Sequence, residues 1–360
     1  MCNALERCKS FRFGCYWAIR GGATDSARRL IELRRAQVVH IKDANTFFRD
    51  LAEKVFSLQT FSKPHPLSAK TAVATLKRYI VDRRYRISLH DLVMEETEEL
   101  VGELIERQFP VEGLNPSTEE VIKRIERYEA LTEILSALFS HGCYWGEEEH
   151  ESLWAKSLER IVNLPGERGG LVIWLNLRLY PALFILYSGG IAAVAAERYR
   201  TLAALLLRTK RREGSKEFPV GLSLGTDDVL SFSDQSKIFG NFPSPLSDHL
   251  FNILRNPLKG IMPDEIQYQM KFDLFEYIFC LNYCDLRDKN GLDLWAPTGC
   301  FGWRHKRSPE KTVQKQIDLE IEKTRENWGP LGAGFFDGSL ERLQSIKSVY
   351  DEMVMSLKSY

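Results

Sequence analysis

The run Leu179-Tyr180-Pro181-Ala182-Leu183-Phe184-Ile185-Leu186-Tyr187-Ser188-Gly189-Gly190-Ile191-Ala192-Ala193-Val194-Ala195-Ala196 contains no charged residue. It reaches the minimum of about 18 apolar residues from which a spanning helix can be read. The basic stretch 208–216 behind it could act as an anchor on the inner side. Pro181 and the pair Gly189-Gly190 weigh the other way, as a helix start and a bend between two shorter helices. Residues 171–207 therefore read as a soluble helical hairpin turned at Ser188-Gly189-Gly190. Pro181 stands in the early turns of the first helix and the glycines at the bend. No membrane partner is expected, and Ala195 is expected in the core.

Outward from this run the period stays helical. Helices are expected over 69–81, 89–107, 118–139, 147–162, 171–187, 191–209, 266–283, 309–327 and 339–357. Pro-, Gly- and Ser-containing breaks fall at 110–116, 165–170 and 214–248. The last of these is long for a loop inside a packed domain, so short helical or strand pieces are expected within it. Tyr187, Gly190, Ala196, Tyr199 and Ala203 are spaced roughly as in one helix-turn-helix unit of the tetratricopeptide type, but no second copy follows.

The first 62 residues follow another pattern. Residues 11–19 are aromatic and β-prone, Gly21-Gly22 breaks them, and Thr24, Asp25 and Ser26 offer N-cap oxygens to a helix over 27–36. Gln37-Val38-Val39-His40-Ile41 reads as a buried strand. Asp43 caps a second helix in which Phe47, Phe48, Leu51 and Val55 recur at helical intervals. Strand, helix, strand, helix is the order of a parallel sheet. Two such strands are marginal alone, which points to sheet supplied before Met1 or by another chain. The expected fold class is thus mainly α, multi-helical, preceded by a short α/β remnant of a Rossmann-like parallel sheet. The expected divisions are 1–62 (end of a truncated α/β domain), 63–165 (helical region) and 166–360 (helical domain, with helical-hairpin repeats left open).

Forty-nine Lys plus Arg balance 49 Asp plus Glu over 360 residues. No overall field then favours nucleic acid, and none is expected as a partner. An apolar share of 44% with 27% charged residues is that of an ordinary globular chain. Seven cysteines without regular spacing suit a reducing cytoplasm better than a disulfide framework.

Several segments carry a family resemblance. Tyr16-Trp17-Ala18-Ile19-Arg20-Gly21-Gly22 through Phe47-Phe48-Arg49-Asp50-Leu51 resembles the final strands and helices of a bacterial sirtuin-like domain. Lys63-Pro64-His65-Pro66-Leu67-Ser68-Ala69-Lys70, Leu177-Arg178-Leu179-Tyr180-Pro181-Ala182-Leu183, Trp295-Ala296-Pro297-Thr298-Gly299-Cys300-Phe301-Gly302-Trp303-Arg304 and Gly338-Ser339-Leu340-Glu341-Arg342 resemble the helical region that follows that domain in large bacterial proteins. Such proteins are implicated in antiviral defence by consuming NAD. The resemblance implies the non-catalytic C-terminal part of a sirtuin-like NAD hydrolase, with a regulatory, assembly or sensing role. The competing expectation is a stand-alone helical interaction scaffold unrelated to NAD. Nothing in the chain matches the family's Gly-rich first turn, its Asn/Asp pair or its base histidine. The chain alone is accordingly expected to bind no cofactor and to hydrolyse nothing, NAD being implied only for the complete protein. Its expected partner is the missing sirtuin-like domain or another chain, with a homo-oligomer left open.

In a complete domain Gly21, Gly22, Thr24, Asp25 and Ser26 would lie at a strand's carboxyl end, where α/β sheets hold ligands. The resemblance makes them candidates for the adenosine side of NAD. An ordinary capped turn explains them equally. His141, Cys143 and His150, with Glu147, Glu148 and Glu149, supply metal-ligand atoms at a spacing that matches no tetrahedral pattern, and no metal is expected. Cys280 and Cys284 read as small buried hydrophobes. Residues 295–305 read first as a loop pinned by Trp295, Phe301 and Trp303, and second as a recognition loop. The glycines of 329–338 follow a charged helix instead of a strand, so the dinucleotide fingerprint lacks its context. No catalytic residues are assigned.

Overall fold

A computed structural model describes residues 68–357, apart from 106, 114, 166–168 and 305–311. The α/β remnant expected over 1–62 lies outside these residues. Within them the protein is mainly helical, and its strands form a single antiparallel pair.

Helix α1 (Ala69–Tyr79) starts where Ser68 Oγ accepts the Thr71 amide. Helix α2 (Arg86–Glu103) leads to α3 (Thr118–Trp145), opened by a capping box in which Ser117 and Glu120 satisfy each other's backbone donors. Then come α4 (Glu151–Val162), α5 (Val172–Leu177), α6 (Tyr180–Ala195) and α7 (Tyr199–Ala203), the last running into a π-helical turn over Ala204–Arg208. After a β-hairpin follow α8 (Phe232–Phe239), α9 (Pro245–Leu258), α10 (Glu265–Lys289), α11 (Val313–Thr324) and α12 (Leu340–Leu357). The stretch 214–248 does hold short pieces: a strand, single turns at Val220–Ser223 and Thr226–Val229, and α8.

Helix α6 is the centre. Every residue from Tyr180 to Val194 is buried, and α3, α4, α9 and α10 surround it. Helices from both sides of residue 165 thus share one core. By length and composition Val172–Ala195 could cross a membrane, yet 94% of its apolar window is covered by the protein's own helices. The expected hairpin is corrected: Ser188, Gly189 and Gly190 lie inside one continuous helix. The glycines are there for close approach. A Cβ on Gly190 would lie 2.1 Å from the Phe275 ring, and one on Gly189 would lie 3.0 Å from Phe139 and 3.1 Å from Cys143 Sγ. Ser136 and Ser188 hydroxyls meet at 2.8 Å in the same seam. The chain turns instead at Glu197, whose φ of 57° is left-handed, as the Arg198 amide reaches back to the Ala193 carbonyl at 2.8 Å.

The basic stretch 208–216 runs from the π-helical turn into a β-hairpin. Strand β1 (Lys210–Glu213) pairs antiparallel with β2 (Lys216–Pro219), in register Lys210 with Pro219 and Glu213 with Lys216. Gly214 takes the turn with φ 64°. Asn163 fixes β1 to the end of α4, donating to the Lys210 carbonyl at 2.8 Å and accepting the Arg212 amide at 2.7 Å.

Candidate functional site

Helix α10 is apolar over most of its length, but it buries Asp273, Glu276, Asn282 and Asp285. Fully buried acidic side chains are rare unless partnered, so these positions mark where the fold has arranged polar chemistry. Glu276, 1% exposed, is the focus. Its Oε1 accepts from Ser247 Oγ at 2.6 Å and Tyr187 Oη at 3.1 Å. Its Oε2 accepts from the Cys300 amide at 3.1 Å and from Cys300 Sγ at 3.5 Å. The Cys300 amide also donates to Ser247 Oγ at 2.8 Å. Burial drives the Glu276 carboxyl up to about 7, against the pull of Ser247, Arg304 and Cys300, while Asp273 adds to the rise.

Segment 295–304 closes over this carboxyl. The Pro297 carbonyl accepts from Cys280 Sγ at 3.0 Å and Tyr350 Oη at 3.2 Å. Arg304 donates to Asp273 at 2.7 Å, and its guanidinium lies 3.5 Å over the Phe251 ring. Packing is therefore what the segment does, with Cys300 and Phe301 as the buried pins. Trp295, expected among the pins, is 39% exposed and meets Tyr283 edge-on. His305 lies outside the described residues.

Beside Glu276 is a narrow recess of about 10 Å³ lined by Tyr187, Thr226, Tyr283, Pro297 and Gly299. That is room for about one water, whereas a cavity for a small organic ligand holds hundreds of Å³. At its far side Asp228 accepts from the Gly225 amide at 2.7 Å, with Tyr283 Oη 3.3 Å away. Burial raises both Asp227 and Asp228. A Ser, a Cys and a carboxyl meet here, yet they do not make a nucleophilic centre. Burial pushes the Cys300 thiol well up, so the thiolate is scarce, and among the described residues no histidine hydrogen-bonds to Ser247, Glu276 or Cys300.

A wider groove of about 730 Å³ opens between α2 and α4, lined by His90, Met94, Glu98, Lys156 and Arg160 among others. Glu98–Arg160 at 2.5 Å and Glu159–Arg212 at 3.4 Å pair its charges at the surface. Such exposed pairs add little stability and leave no single-sign field.

The NAD-side candidates Gly21, Gly22, Thr24, Asp25 and Ser26 lie outside the described residues. The residues weighed for a metal are not gathered. His141 Nδ1 faces the Ala137 carbonyl at 3.1 Å, His150 Nδ1 accepts the Glu147 amide at 3.1 Å, and Cys143 is packed beside Gly189. Among the described residues no three His, Cys, Asp or Glu side chains are grouped as for a metal ion. Cys280 and Cys284 are buried, with thiols raised by burial. The sequence reading missed Glu276, Ser247 and Tyr187, although acidic residues within an apolar helix were a visible signal.

Comparison of the chain with protein-family models, with curated proteins and with solved structures gave no match.

Proposed function

We propose that this chain is the non-catalytic C-terminal part of a sirtuin-like, NAD-hydrolysing bacterial defence protein, serving in regulation, assembly or sensing in the cytoplasm. The observation that carries the non-catalytic half of this reading is the use made of the buried polar groups. Glu276, Ser247, Tyr187 and Cys300 are spent on one another around a recess the size of a single water. The link to NAD rests on the sequence resemblance. Where the resembling segments fall among the described residues, they hold structural positions: Ser68 caps α1, Leu177, Tyr180 and Leu183 are fully buried, Cys300 and Phe301 pin 295–304, and Ser339 accepts the Arg342 amide where α12 begins. Such positions suit a shared helical fold more than shared chemistry. On this reading Gly21, Gly22, Thr24, Asp25 and Ser26 remain candidates for the adenosine side of NAD, in an α/β domain completed by a sirtuin-like part of the same protein or by a partner chain.

The open groove between α2 and α4 favours a second reading, a helical interaction scaffold unrelated to NAD. Sequencing the DNA immediately upstream of the coding stretch separates the two. An in-frame or frameshifted sirtuin-like stretch there is the expected result. Unrelated sequence favours the scaffold.

A further inference from the structure

Glu276 stands where several elements meet. It belongs to α10, its Oε1 is held by Tyr187 of α6 and Ser247 of α9, and its Oε2 is held by the backbone of Cys300. A Cβ on Gly299 would lie 2.3 Å from Oε2, so the segment rests directly on the carboxyl. On the other side Pro297 is tied to Cys280 of α10 and Tyr350 of α12. The one-water recess lies against the same carboxyl.

We propose that Glu276 is a proton-operated latch. When it carries a proton, the segment 297–301 stays closed over the recess; when it loses the proton, water enters and the segment loosens.

The physical reason is an imbalance around the group. No cation among the described residues forms an ion pair with Glu276. The guanidinium of Arg304, which pulls the Glu276 carboxyl down, forms its ion pair with Asp273 through Nη1. The titratable and charged groups facing the carboxyl are Tyr187 from α6, Asp273, Cys280 and Tyr268 from α10, and Cys300 and Arg304 from the segment. Asp248 of α9 acts on Arg304, and Tyr350 of α12 acts through Cys280. The donors that hold the carboxyl are all neutral, so a carboxylate there has no paired countercharge and is relieved by hydration. Burial holds the closed carboxyl near 7, against 4.5 when solvated. Opening is therefore linked to release of one proton between these values. It becomes about tenfold easier per pH unit across that window and levels off above it. The latch tightens as pH falls below neutral.

Native-state amide exchange of the full chain tests this, read on peptides covering 298–302 from about pH 5 to about 8.5, with intrinsic exchange rates divided out. The expected result is protection falling about tenfold per pH unit up to about 7 and then constant. Glu276→Gln should give a flat profile. A flat wild-type profile, or the same slope in Glu276→Gln, overturns the proposal. If the variant does not fold, residues 153–158 of α4 serve as the internal comparison in wild type. Faster exchange at 298–302 than at 153–158, with the slope present at 298–302, supports the latch, and equal opening equilibria in both regions across the range overturn it as a whole-molecule effect.

Discussion

At the residue scale the clearest consequence is a pH dependence of stability. The folded carboxyl of Glu276 is raised by burial to about 7 from 4.5. Stability from the protonated group is fully present below the unfolded value and is lost as pH rises toward the folded one, then stays level. A displacement of that size is worth on the order of 3 kcal/mol. His141 and His150, lowered by burial, act in the opposite sense, losing stability as pH falls through the ordinary histidine range. The comparison that isolates Glu276 is therefore between wild type and Glu276→Gln. The unfolding free energy lost between about pH 5 and about pH 8, read from urea titrations, should be smaller in the variant by roughly that amount. Equal shifts in both proteins would show that the carboxyl is not the source.

A second residue-scale prediction concerns Gly190. Replacing a glycine inside a helix by alanine ordinarily stabilises by about 1 kcal/mol. Here the new Cβ would meet the Phe275 ring at 2.1 Å. Overpacking of that kind costs about 1–3 kcal/mol, so Gly190→Ala should lower the unfolding midpoint. A rise in the midpoint would mean that α6 and α10 are further apart than described.

At the element scale, α6 shows what the sequence did and did not disclose. Its burial was legible in eighteen uncharged positions. Its continuity was not, because two adjacent glycines signal a bend just as well as a helix–helix seam, and only the partners Phe139 and Phe275 decide. Ala195, expected in the core, is only half-buried next to the turn, whereas Ala193 is fully buried. Ala193→Asp should then cost several kcal/mol through an unpaired buried charge, with loss of soluble folded protein as the readout. Wild-type chain should be recovered folded without detergent. Recovery only from detergent-extracted membranes would contradict the enclosed helix. Helix α9 is not among the expected helices; it begins within the stretch 214–248 and carries Pro257 inside, although Leu246, Leu250, Leu254 and Leu258 recur every four residues and are all fully buried. Leu250→Ala should cost about 2–5 kcal/mol in chemical denaturation. The hairpin at 210–219 was hidden by its charges, and the informative signal was the two-residue Gly214-Ser215 turn.

For the molecule as a whole, composition and periodicity disclosed the helical class. The candidate site stayed hidden because it is made by convergence: Tyr187, Ser247, Glu276 and Cys300 come from four separate stretches. Sequence spacing cannot show that Ser247 reaches the carboxyl of a residue 29 positions away. On the proposed function this chain is not an NAD hydrolase by itself. The direct measurement is nicotinamide release on incubating the purified chain with NAD. Release indistinguishable from buffer at both acidic and neutral pH is the expected result. Turnover well above that control, retained through further purification, would contradict it.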